Sequence, residues 1–333
     1  ITVFGEVPFS AIDSWALLAM PLFILAGEII SRGQTANNLV RLGEAIVGWI
    51  RGGLGMATIL GCFFFAGTSG SSSADTITIG RIMVPAMKKR GYQGSYAASL
   101  AASGGILGVI VPPSLIFIIY GVATSTSIGD LFLGGIFPGL ILAIAMCTAN
   151  YFVCKHTDWG VPESGAFSLK EVGASLWHAK FGLGAPVIIL GGIYSGVFTP
   201  TEAASVAVAY VTIVELLIHR SFGLTELKEA FIRAAVVTGV LAPIIAFSVL
   251  LGEVLAILRV PSDLVTFFFS IPVGPVGSVA LIILVLLIVG SILEPIAAIL
   301  VVMPILLPIG IELGFDSVHF GVFVVCTLAV GFI

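Results

Sequence analysis

Apolar positions dominate the chain and run in blocks, and polar positions recur at a few places between and inside those blocks. Residues 13–30, 131–153, 183–197, 202–218 and 234–258 are apolar and are read as helices crossing a bilayer, which takes roughly 20 apolar residues. Residues 35–51 have another pattern. Leu39, Leu42, Ile46 and Ile50 recur at helical spacing against Asn37, Arg41 and Glu44. This predicts an amphipathic helix, either lying in the membrane interface or packed on the cytoplasmic side. A second amphipathic piece is expected at 225–233, with Arg220, Lys228 and Arg233 on or beside it. Residues 155–180 read as a polar connection with Trp159, Trp177 and His178 near its ends, as an interfacial belt has.

Two apolar blocks are interrupted. Residues 52–87 carry the run from Gly67 to Asp75, GTSGSSSAD, in their middle, with Arg51 before and Lys88, Lys89 and Arg90 after. Two full crossings joined there would leave arms at the minimum of about 17 residues, so a re-entrant helical hairpin with its tip near mid-membrane is predicted. Residues 95–120 are broken by Pro112 and Pro113. Proline removes a donor and blocks the preceding turn, which leaves carbonyls around Gly108 to Val111 free. An unpartnered backbone or an ionisable group in lipid is costly, so the two breaks are expected to meet and bind something.

The pattern repeats. With Pro85 laid on Pro308, Gly67 meets Gly290, Thr68 meets Ser291, Ser71 meets Glu294, Gly91 meets Gly314 and Tyr92 meets Phe315. Gly27-Glu28 and Gly252-Glu253 correspond at nearly the same offset. The first hairpin is flanked by cations, whereas no Lys or Arg occurs from 262 to 333. By the positive-inside rule the two hairpins open to opposite sides, an inverted-topology repeat with sites near the midplane. The odd number of crossings between Lys89 and Arg259 agrees, and Arg259 is the one charge on the wrong side.

Composition narrows the class. Hydrophobic residues are 58% and charged residues 10% of the chain, with a net charge of −4, and mean hydropathy is +1.18. This excludes a soluble domain and gives an all-α polytopic membrane protein. There is no basic tract to bind nucleic acid. Cys62, Cys147, Cys154 and Cys326 are scattered apolar fillers without metal-ligand spacing. The chain opens at Ile1 and stops in an apolar run at Ile333. Both ends are therefore expected to be truncated, with a second Pro-Pro break following.

GTSGSSSAD, together with IVPP at 110–113 and FTPTEAA at 198–204, resembles the large membrane subunit of tripartite ATP-independent periplasmic (TRAP) transporters, DctM-like. The resemblance implies a sodium-coupled secondary importer of organic acids in the bacterial inner membrane. It implies two partners: a small four-helix membrane (Q) subunit, separate or fused, and a periplasmic substrate-binding (P) protein. It further implies an elevator fold of the ion-transporter type, dividing the chain into four parts. These are a scaffold helix and arm (1–51), a first transport repeat (52–153: hairpin 52–90, broken helix 95–120, helix 131–153), connecting helices with a second arm (154–271), and a second repeat (272–333: hairpin 275–312, helix 317–333). A C4-dicarboxylate and sialic acid are both candidate cargoes, with a slight lean to sialic acid.

Sodium takes several oxygen ligands. Ser69 and Ser71 at the first tip, with the carbonyls of Gly108 and Val111 and the geometry set by Pro113, form the expected first sodium site, matching the family's first site. Close packing of small residues is the competing explanation. Gly290, Ser291 and Glu294 are the symmetry-related candidates, Glu294 being either a ligand or a helix cap. For a carboxylate substrate the candidates are Ser72, Ser73 and Asp75 at one helix start, Ser114 at another, and Arg81, the one cation inside a hairpin arm. Asp75 would meet a hydroxyl or amine of the substrate, or stabilise its helix start; Arg81 would pair with an acid or snorkel. Glu28 and Glu253 relay protons or, more simply, brace hairpin against scaffold. Thr199, Pro200, Thr201 and Glu202 read as a helix start. Two other readings compete. One is a stand-alone sodium–anion elevator. The other is an intramembrane serine protease using Ser69, which needs a base nearby; His156, His178, His219 and His319 all fall at expected loops or helix ends.

Overall fold

A computed structural model describes residues 2–157, 159–161, 167–270, 272 and 274–333, with backbone only at 2–5. The middle of the expected polar connection (158 and 162–166) and the domain boundary at 271 lie outside the described residues, as does Ile1. Among the described residues the regular structure is helical. In order the helices are α1 (Thr2–Ile12), α2 (Ala19–Arg32) after a 3-10 turn at Trp15–Leu18, α3 (Thr35–Val47), α4 (Gly53–Ser69), α5 (Ser72–Lys89), α6 (Gly94–Gly105), α7 (Leu107–Ile110), α8 (Leu115–Thr124), α9 (Ile128–His156), α10 (Leu169–Tyr194), α11 (Pro200–Ile213), α12 (Leu224–Ile257), α13 (Val260–Ser270), α14 (Gly274–Ile292), α15 (Pro295–Glu312) and α16 (Ser317–Gly331). Among the described residues, eight segments are long and apolar enough to cross a membrane.

The broken segment α6–α8 runs through the middle of the bundle, with 89% of its most apolar window buried, against 22% for α10 and for α14. The outer helices instead turn large apolar side chains outward, such as Phe137 on α9 and Phe247 on α12. A helix that is apolar all round and exposed on one side suits lipid rather than water. α4 spans 17 residues, about 26 Å at 1.5 Å per residue, short of a hydrocarbon core of about 30 Å. α4 and α5 pack on each other, and α4 also packs on α3 and α6.

Several elements differ from the sequence expectation. α12 is one helix of 34 residues, so the amphipathic piece at 225–233 and the crossing at 234–258 are continuous. No Gly or Pro separates them, and Ala230 and Ala234 are buried on one face across the expected joint. α10 begins at Leu169, so the later half of the expected polar connection is helix. His178 lies inside that helix, exposed, not at an end. Ser168 starts the helix by accepting from Glu171 N at 3.4 Å. α3 is amphipathic as expected, but it packs against α4 and α10 with only a narrow strip near Asn37 and Arg41 exposed.

One buried carboxylate holds the α2–α3 corner. α11 runs into a π-helical turn at Val214–His219. Glu215 in that turn is 0% exposed. It accepts from Gln34 N and Thr35 N, both at 3.1 Å, and from the hydroxyls of Thr35 and Ser221. His219 Nδ1 lies 3.3 Å away. The carboxylate thus satisfies the open donors at the start of α3. Gly33 is required beside it, because a Cβ there would fall on the Glu215 carboxyl.

Candidate cation site at the hairpin tip

α4 ends where Gly70 turns left-handed at φ 61°, a conformation that costs little only for glycine. Ser71 returns to extended backbone and α5 starts at Ser72. The tip therefore reverses the chain in two residues. It meets the proline break directly. Leu115 N donates to Gly70 O at 3.4 Å, and a Cβ on Gly70 would sit 2.7 Å from Pro113 O. The break itself spans Val111 to Ser114, with a cis peptide between Pro112 and Pro113.

Asp75 sits one turn into α5 and is 0% exposed. Its Oδ1 accepts the Ser69 hydroxyl, so the carboxylate spans the gap between the two arms. Its Oδ2 has no partner. Across from it lies Gly108 on α7: a Cβ there would be 2.5 Å from Asp75 Oδ2 and 2.9 Å from Ser71 O. Ser69 Oγ also accepts from Ser71 N at 3.4 Å. A carboxylate, a hydroxyl and the Ser71 carbonyl thus face a patch of backbone kept bare of side chains. A buried carboxylate oxygen with no donor is costly unless a positive charge or a proton meets it. Hard cations with oxygen ligands suit this donor set.

The structure thus brings Ser69, Ser71 and Gly108 together with the break at Val111 and Pro113, and puts Asp75 with them instead of in an open cavity with Ser72 and Ser73. Ser114 is an N-cap: its hydroxyl donates to Val109 O and accepts from Phe117 N at 3.5 Å. It thereby occupies one of the carbonyls expected to be free. Ser72 and Ser73 line a separate cavity of about 400 Å³ with Ser99 and Ser103. Those two serines were missed in the sequence, although their i, i+4 spacing on a small-residue helix is a polar stripe. Arg81 is exposed in another cavity, between α5, α2 and α12.

The second tip is organised differently. Gly290 packs against α16, where a Cβ would meet Leu328 O at 2.7 Å. Ser291 turns its hydroxyl back to Ile288 O at 2.8 Å. Glu294 caps α15, accepting from Ile296 N at 3.0 Å and Ala297 N at 3.4 Å, with Pro295 at the first helical position. Glu28 pairs with Arg32 one turn on, at 3.6 Å, and Glu253 lines a largely apolar cavity of about 520 Å³ beside α15. Thr199 is the cap of α11, in a reciprocal capping box with Glu202, while Thr201 donates to Trp15 O at 2.9 Å. Ser69 has no histidine among its described hydrogen-bond partners.

Comparison with known proteins agrees with this architecture. Residues 1–333 match the family described as tripartite ATP-independent periplasmic transporter, DctM component. The isethionate TRAP transporter permease DctMQ of Oleidesulfovibrio alaskensis is 37% identical over 99% of the chain, which spans about half, 52%, of that protein. The C4-dicarboxylate TRAP large permease DctM of Pseudomonas aeruginosa is 38% identical over 98% of the chain and 76% of its own length. The sialic acid TRAP large permease SiaM of Vibrio cholerae is 36% identical over 96% of the chain and 74% of its own length. With its apolar membrane helices and this match from end to end, the chain belongs to the DctM component family of tripartite ATP-independent periplasmic transporters.

Proposed function

We propose that this chain is the membrane-embedded permease of a sodium-coupled importer of an organic acid in the bacterial inner membrane. The observation that carries the reading is the orphaned Asp75 Oδ2 facing Gly108 at the hairpin tip. Ser69, Ser71, Asp75 and the Gly108 backbone are the groups that would hold sodium, with Pro113 and Val111 shaping the break beside them. When bound, the ion supplies the positive charge that the carboxylate lacks. Ser69 orients the carboxylate, and Gly108 keeps the approach clear. The ion thereby favours closure of the tip on the break, and this couples the ion gradient to movement of the hairpin.

The transported group is a carboxylate or sulfonate. Relatives named for isethionate, C4-dicarboxylates and sialic acid support the acid class without favouring sialic acid. Ser72, Ser73, Ser99 and Ser103 offer hydroxyls for such a solute in the adjoining cavity. An elevator motion carries the site, with the second hairpin entering from the opposite face; the cation flanks of the first hairpin and the lack of Lys and Arg after Arg259 support that orientation. A periplasmic binding protein delivers the solute, and a small Q subunit braces the permease. The joined DctMQ name of one relative supports a fused form of the latter.

The test is uptake of labelled organic acids by the full-length protein in proteoliposomes, with and without a sodium gradient and with and without the binding protein. Uptake that needs both supports the tripartite reading. Sodium-driven uptake without the binding protein would replace it with a stand-alone symporter.

A further inference from the structure

The cavity that contains Arg81 has a charge arrangement that the sodium site does not use. It encloses about 480 Å³ between α5, α2 and α12, and its wall includes Glu28, Arg32, Thr78, Arg81, Glu226 and Arg233. The acids there are already engaged. Glu28 faces Arg32 at 3.6 Å, Arg32 also pairs with Glu229 at 2.9 Å, and Glu226 accepts from Gly223 N at 2.9 Å at the start of α12. Arg81 and Arg233 are left with no ion-pair or hydrogen-bond partner among the described residues. They stand on two different helices that face one space. Arg81 lies about 9 Å along α5 from Asp75, at 1.5 Å per residue.

We propose that this cavity is an oxyanion site in which Arg81 and Arg233 hold the carboxylate or sulfonate of the transported solute on the cation-flanked side of the first hairpin. The proposal rests on the transport reading and names a second station for the same cargo. Two guanidinium forks suit a planar or tetrahedral oxyanion. The volume suits a small organic acid. Both arginines are solvent-exposed, so the attraction is screened by salt and the solute is held weakly, as release to water requires. The cavity beside α15 that Glu253 and Pro304 line has no arginine in its wall.

The experiment uses the purified full-length transporter in detergent, without binding protein or sodium, at constant ionic strength set with chloride. Its thermal midpoint is followed against isethionate, succinate and inorganic sulfate. The wild type should show a saturable rise with isethionate. Arg81→Gln and Arg233→Gln should each raise the half-saturating concentration by about tenfold, the usual order for one lost charge-assisted contact. Arg81→Lys, which keeps the charge without the fork, should fall between, and Lys155→Gln should match the wild type. Equal curves in wild type and both glutamine variants would overturn the proposal, as would an equal loss in Lys155→Gln. If Arg81→Gln does not fold, Arg233→Gln at its exposed position carries the test. Native mass spectrometry supplies the other arm. A phospholipid retained by the wild type and lost from Arg233→Gln, with no response to isethionate or sulfate, would assign the site to a lipid headgroup and overturn the solute. Arginine-dependent binding without sodium-driven uptake in liposomes would sink the transport reading and leave the oxyanion site standing.

Discussion

Ser69 donates its hydroxyl to Asp75 across the gap between α4 and α5, and the other oxygen of that carboxylate faces Gly108 with no partner. The first contact ties the two arms of the hairpin together. The second leaves a negative group pointed at the broken helix. The tip is therefore stable in its present form only when something positive joins the two.

Gly108 is the residue that keeps this approach open. Gly108→Ala would put a methyl 2.5 Å from Asp75 Oδ2 and 2.9 Å from Ser71 O, backbone included. Overpacking of this kind costs about 1–3 kcal/mol. The variant should fold with a lowered thermal midpoint and lose most sodium-dependent uptake. Gly80→Ala, whose nearest neighbour is Ala101 Cβ at 3.6 Å, is the matched control and should keep both.

Glu215 is predicted to matter for stability rather than transport chemistry. Glu215→Ala strands Gln34 N, Thr35 N and two hydroxyls inside the protein. Each buried unpaired group costs about 1–3 kcal/mol. The expected result is a large drop in thermal midpoint or failure to accumulate in the membrane. Glu215→Gln keeps acceptor capacity at one oxygen and should be intermediate by the same assay.

Asn150 locks α9 to the base of the first hairpin. Its Nδ2 donates to Gly52 O at 2.9 Å, and its Oδ1 accepts from Tyr96 Oη at 2.9 Å. Asn150→Leu should lower stability by about 2 kcal/mol through the two stranded partners. Tyr96→Phe removes one of those contacts and should cost less. Differential scanning fluorimetry on the purified protein separates the two.

Glu294 tests the difference between the two tips. Its carboxylate is engaged as the N-cap of α15. Glu294→Ser keeps a capping oxygen, and it should preserve both stability and the sodium dependence of uptake. A sodium affinity that falls in Glu294→Ser would show a coordinating role that the cap geometry does not require.

Much of this arrangement was legible in the sequence because glycine and proline punctuate it. Gly67 to Ser73 and Pro112-Pro113 interrupt apolar runs where lipid tolerates no interruption, and the structure brings those two places into contact at Gly70 and Leu115. The continuity of α12 was not legible, because Lys228 and Arg233 look like an interfacial boundary while the helix passes straight through them. Nor was Glu215, whose donors Gln34 and Thr35 lie far away in sequence. Asp75 was placed with the substrate because it opens a helix beside two serines. Its position facing Gly108 depends on how α7 folds back over the tip, which no local pattern records.

The most direct test of the central claim is equilibrium binding of radiolabelled sodium to purified wild type and Asp75→Asn, with folding verified by the thermal transition of each. The account predicts saturable binding in the wild type and a loss of at least about tenfold in affinity in Asp75→Asn, since the full charge facing the ion is removed. Equal affinity in the two proteins would contradict it and would move the coupling ion away from the hairpin tip.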